Sequence, residues 1–138
     1  MKIKLTYLML MVFLLAACGD TIRGREVAEP KVVKFHEQLK ARDFEGMYDS
    51  TSPEFKAAES KDRIVALFEA IDRKLGALQE TQQVNWSVNT QNLTTTVVLV
   101  YQSRFSGGEA TEAFTFRVKD ADAQLIGYNI SSFDMLIK

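Results

Sequence analysis

The chain has 138 residues, 46% of them hydrophobic and 25% charged, with 7 Gly, 2 Pro and 1 Cys. These values exclude a collagen-like or disordered chain, a disulfide scaffold and a multi-pass membrane protein, and the length fits one domain. Setting aside Lys2 and Lys4, the 17 basic residues become 15 against 18 acidic ones, a net charge of −3; with no basic run, this argues against nucleic-acid binding.

Residues 1–17 read as an address. Lys2 and Lys4 give a positive start, and Leu5 to Leu15 form an apolar run broken only by Thr6. That run is too short to cross ~30 Å of hydrocarbon as a helix, which needs roughly 20 residues, and it suits the apolar region of a secretory signal. It ends in Leu15-Ala16-Ala17-Cys18-Gly19, which resembles the bacterial lipobox. The resemblance implies cleavage before Cys18, acylation of its thiol by palmitate-like chains, and a lipid-anchored place in the bacterial cell envelope, facing the periplasm. The alternative is an ordinary cleaved signal with an incidental cysteine. A single cysteine cannot form an internal disulfide, and lipidation gives it a use. Asp20 lies two residues past the cysteine, but Gly19 occupies the usual sorting position, so inner and outer membrane both stay open. Residues 18–29 read as the lipidated cysteine and a tether, and 30–138 as one domain.

Pro30 suits a first helical turn. From there Val32, Phe35, His36 and Leu39 share one sector, so His36 points inward with the apolar stripe. Asp43 caps a second, short helix carrying Phe44, Met47 and Tyr48. Ser52-Pro53 starts a further turn anchored by Phe55. Ser60 is placed to cap the third helix, on which Ile64, Leu67, Phe68, Ile71 and Leu75 recur at helical spacing until Gly76.

After Leu78 the period becomes 2. Val84, Trp86 and Val88 alternate with polar residues; Leu93–Phe105, Ala110–Lys119 and Gln124–Ser132 follow as strands. With Gly107-Gly108 as a two-residue loop, Tyr101 faces Phe114, Leu99 faces Phe116 and Val97 faces Val118. The last hairpin pairs Phe114 with Ile130, Phe116 with Tyr128 and Val118 with Ile126, and the first pairs Val84 with Val97. The expected class is α+β: three N-terminal helices packed on a curved, cone-like four-stranded antiparallel meander. Its second face carries Val98, Val100, Ala113 and Thr115.

Asp43-Phe44-Glu45-Gly46-Met47-Tyr48, Leu75-Gly76, Tyr101-Gln102-Ser103-Arg104-Phe105 with Ala110-Thr111-Glu112, and Gly127-Tyr128-Asn129-Ile130 together resemble the nuclear-transport-factor-2-like superfamily of cystatin-like cones, in its small bacterial lipoproteins. The resemblance spans about residues 30–132. It implies a pocket between helices and sheet, and members that dimerise through their sheets. It implies no particular reaction, because that superfamily includes isomerases, dehydratases and non-enzymatic binders.

Glu112 shares the apolar face with Phe114 and Phe116 in the register above, opposite Ser103. A carboxylate there has a raised pKa unless a donor compensates, which would suit acid or base work. The plainer reading, which we prefer, is a carboxylate at the open rim, solvated or hydrogen-bonded to Ser103 or a helix. His36, the only histidine, is a candidate base or a satisfied core residue. Tyr48, Trp86, Tyr101 and Tyr128 are candidate pocket-lining aromatics with polar tips. One histidine and one acylated cysteine argue against a zinc site, and no cofactor motif is present. Two classes follow. The preferred one is a membrane-anchored, non-catalytic domain that binds a small ligand or a protein, with a possible homodimer through Val98 and Val100. The alternative is an isomerase- or dehydratase-like enzyme using Glu112, His36 or both.

Overall fold

The computed structural model describes residues 16–138, with side chains from Arg23 onward. The basic start and the run Leu5–Leu15 lie outside the described residues, and so does the side chain of Cys18. Helix α1 (Ala16–Lys40) is followed by α2 (Phe44–Asp49), α3 (Pro53–Ala58) and α4 (Lys61–Leu75). Strands β1 (Leu78–Gln91), β2 (Thr94–Phe105), β3 (Gly108–Lys119) and β4 (Asp122–Ser131) form one antiparallel sheet in the order β1-β2-β3-β4, and a short helix α5 (Phe133–Ile137) ends the chain. The α+β plan is the expected one, with four helical segments before the sheet among the described residues rather than three.

Helix α1 starts well before Pro30, and the tether expected over residues 18–29 is helical. The apolar stripe simply continues upstream in small residues. Gly24, Ala28, Val32, Phe35 and Leu39 are all buried. A side chain on Gly24 would stand 3.2 Å from Val97 Cγ2, so glycine lets the helix lie directly on the sheet. Pro30 is exposed inside this helix. It removes one backbone donor, on the solvent-exposed side of the helix.

Asp43 caps α2 by accepting from the Gly46 N–H at 3.1 Å, and Ser52 caps α3 by accepting from the Phe55 N–H at 3.1 Å. Ser60 precedes α4, but its side chain makes no capping bond, contrary to expectation. Gly76 ends α4 at φ 77°, with its N–H donating to the Asp72 carbonyl at 2.8 Å.

The sheet puts the predicted residues of β2 and β3 on the predicted faces, two positions out of register. The β2–β3 loop is Ser106-Gly107 rather than Gly107-Gly108, so Leu99 pairs with Phe114, Val97 with Phe116, and Tyr101 with Glu112. Helix α4 sets this. Ser106 N–H donates to the Ala77 carbonyl and Gly107 N–H to the Leu75 carbonyl, at 2.9 and 2.8 Å, which pins the loop to the helix end. In β4 an irregularity beside Thr115/Phe116 takes up one residue: Tyr128 pairs with Phe114, but Leu125 with Phe116 and Ala123 with Val118. Ile126 therefore leaves the face assigned to it. In β1 a second irregularity displaces Val84, which is 55% exposed, and Val88 is the residue that faces Val97.

The core lies between α1, α4 and the inner sheet face, centred on Phe114. Its ring meets Phe35 and Tyr128 at 5.1 Å each and Tyr101 at 5.9 Å, mostly edge-on or tilted. Helix α5 docks against β3 and α4 instead of folding across the face that carries Val98 and Val100. Ser132 caps it, and Asp134 accepts from the Glu109 N–H at 3.1 Å.

Candidate functional site

His36 from α1 and Glu112 from β3 meet inside the cone. His36 Nε2 lies 2.9 Å from Glu112 Oε2. The Ser103 hydroxyl donates to the same oxygen at 2.5 Å, and the Tyr128 hydroxyl donates to Oε1 at 2.7 Å. Three neighbouring strands and one helix thus converge on one carboxylate. Ser103 reaches it diagonally across the β2–β3 ladder, because its direct partner is Ala110. Tyr128 reaches it from beside Phe114 on β4.

The carboxylate has no contact with solvent: Glu112 is 0% exposed and His36 6%. Glu112 is therefore enclosed rather than solvated at an open rim, while the expected bonds to Ser103 and to a helix are both made. Burial pushes its carboxyl upward, but the hydrogen bond and charge of His36, helped by Ser103 and Tyr128, outweigh this and hold it below the usual carboxylate value. The compensating donors are present, so the raised pKa expected of an unsupported acid does not arise. The same arrangement drives the Tyr128 phenol well above its ordinary value, through burial first and the Glu112 charge second. An ionised Glu112 accepts from all three groups, which requires a proton on His36 Nε2.

The aromatic candidates divide. Tyr128 belongs to the network, and Tyr101 stacks edge-on against His36 at 5.8 Å between ring centres. Tyr48 lies elsewhere, with the Lys56 and Lys61 ammonium groups 5.7 and 5.9 Å from its ring centre. Trp86 sits at the open β1 edge, 39% exposed, under the Arg25 guanidinium at 5.2 Å. Arg25 also donates to Gln83 Oε1 at 2.9 Å, a contact between α1 and β1 that sequence reasoning missed because it read residues 18–29 as a tether.

One hollow reaches the core and another lies at the end of the sheet. A cleft of about 120 Å³ between α1, α2 and the sheet has Phe35, Met47, Phe114, Phe116 and Leu125 in its walls and Lys31, Lys34 and Gln38 at its mouth. A wider recess of about 730 Å³ lies between the β1–β2 and β3–β4 turns. Neither is lined by His36 or Glu112. Among the described residues no group of three or more His, Cys, Asp or Glu side chains is placed to hold a metal ion, and no helix is long and apolar enough to cross a membrane.

No family model matches the chain. No curated protein matches it either. Among solved structures it is similar to an NTF2-like protein with a cystatin-like fold from Novosphingobium aromaticivorans, at 18% identity and a TM-score of 0.50, covering 94% of this chain and 90% of that one. The fold is therefore the NTF2-like, cystatin-like α+β cone that the sequence motifs resemble.

Proposed function

We propose that the chain is an envelope domain held to a membrane through acylated Cys18, and that it binds a small molecule or a protein partner without catalysing a reaction. The observation that carries the non-catalytic part is the enclosure of Glu112. A general acid or base must reach its substrate's proton within hydrogen-bond distance. Here both carboxylate oxygens are engaged by protein donors and the residue has no solvent contact. The isomerase-like alternative would require that network to be dismantled in each cycle. Instead, the network joins α1, β2, β3 and β4, as a structural keystone does.

A binding role has room elsewhere. The cleft between α1 and α2 is smaller than the roughly 300 Å³ usual for a drug-sized ligand, so it suits a short apolar group. The sheet face with Val98, Val100, Ala113 and Thr115 is half-buried, and we assign it to a second copy of the chain. The lipid anchor rests on Leu15-Ala16-Ala17-Cys18 after a short apolar run. Two acyl chains make such anchoring stable where one is marginal.

Native mass spectrometry of the detergent-extracted full-length protein tests this reading. It should show a chain beginning at Cys18 with added acyl mass, accompanied by a retained small molecule, a partner or a second copy. A bare monomer with an unmodified thiol contradicts it.

A further inference from the structure

Leu93 is 100% exposed, the most solvent-covered large hydrophobic residue among those described. It occupies the tip of the β1–β2 hairpin, between the paired Gln91 and Thr94. Asn92 and Leu93 have φ of 50° and 64°, the left-handed pattern of a tight hairpin turn. Asn tolerates this conformation, but the second position ordinarily takes glycine, and a leucine there is strained. The side chain gains no packing within the protein in return.

The direction of α1 shows what lies beyond that tip. Gly24 rests on Val97, Thr95 and Val88, whereas His36, twelve residues later, faces Tyr101 and Phe114. The helix therefore runs in the same direction as β2, and its N-terminus leaves the domain at the β1–β2 turn. From the level of Gly24, Cys18 is six residues away, about 9 Å of helix. Leu93 is two residues beyond Thr95, about 7 Å of strand. The helix start and the hairpin tip thus project from the same end to similar heights. The recess beside Leu93 carries Arg117, Lys119, Asp120 and Asp122. Such a mixture of signs suits a zwitterionic surface better than a strongly anionic one.

We infer that the β1–β2 turn rests on the phospholipid surface, with Leu93 dipping among the headgroups and the opposite end, at Ser106-Gly107 and α5, facing away. This rests on the anchoring proposed above and adds an orientation to it. A freely swinging domain would present its faces to partners at random, whereas a seated one holds α5 outward.

The test uses the full-length protein reconstituted in vesicles of the zwitterionic lipids phosphatidylethanolamine and phosphatidylcholine. Leu93→Cys and, separately, Ser106→Cys carry a polarity-sensitive fluorophore, and the vesicles contain nitroxide-labelled lipid. Intact mass counts acyl chains and labels on each sample. The inference expects roughly twofold quenching at position 93 and none at position 106. Equal quenching at both positions, or none at 93, overturns it. An unmodified Cys18 in the mass spectrum refutes the anchor separately: quenching at 93 alone would then sustain lipid contact by the tip without it, and no quenching would refute both.

Discussion

His36 Nε2 and Glu112 Oε2 stand 2.9 Å apart although 76 residues separate them in the chain, and the contact is buried. It ties the first helix to the centre of the sheet. A buried pair of this kind is costly to break from one side, by about 3–5 kcal/mol: losing His36 takes one donor from the buried carboxylate, and losing Glu112 leaves His36, Ser103 and Tyr128 without their acceptor.

The pH dependence of stability follows from Glu112. Its carboxyl is held below its ordinary value in the folded state, while in the unfolded chain it titrates near 4.3, the reference for glutamate. A group with a depressed folded pKa contributes stability above its unfolded value and loses it as pH falls through the folded one. Glu112→Gln lacks that contribution. Urea unfolding should show a gap between wild type and variant that is full at pH 7 and narrows below about pH 4. A gap independent of pH would show that the carboxylate is not the source.

Phe114 is fully buried and meets four aromatic rings in addition to that of His36. Phe114→Ala should lower the unfolding free energy by about 3–5 kcal/mol, the usual range for emptying such a site. A loss under about 1 kcal/mol would mean that the core collapses around the cavity.

Gly76 has two reasons to be glycine. Its φ is 77°, and an added Cβ would meet Ser106 Oγ at 2.2 Å. Gly76→Ala should destabilise by more than about 1 kcal/mol through backbone strain alone. Adding Ser106→Ala should recover only part of the loss, because the clash is relieved but the strain is not. Full recovery in chemical denaturation would assign the whole effect to the clash.

Leu93→Gly should have the opposite sign. Relief of the left-handed leucine should stabilise the soluble domain by up to about 1 kcal/mol, offset in part by glycine's greater freedom when unfolded. A destabilised variant would show that the turn is unstrained.

Much of this architecture is legible in the sequence, and the errors have physical causes. Alternation in β2 and β3 places Val97, Leu99, Tyr101, Phe114 and Phe116 on one face, as found. Matching faces cannot detect a register change of two, since side chains repeat every second residue. The true register is fixed by the carbonyls of Leu75 and Ala77, a contact from α4 that the strand sequences do not contain. The upstream half of α1 was missed because its buried stripe is Gly24 and Ala28, which carry little hydrophobic signal. At the site, His36 pointing inward and Glu112 beside Phe114 could be read from periodicity. That they meet depends on how α1 crosses the sheet, and that Tyr128 joins them depends on the β3–β4 register.

A double-mutant cycle on His36 and Glu112 tests the structural role most directly. His36→Leu takes one of three donors from the buried carboxylate and Glu112→Leu takes the shared acceptor from His36, Ser103 and Tyr128, and each should reduce the unfolding free energy by about 3 kcal/mol. The double variant removes both polar groups and replaces them with apolar ones. It should lose less than the sum of the singles, by at least about 1.5 kcal/mol. Single losses under about 1 kcal/mol that add within about 0.3 kcal/mol would contradict the account, because the pair would then not hold the cone together.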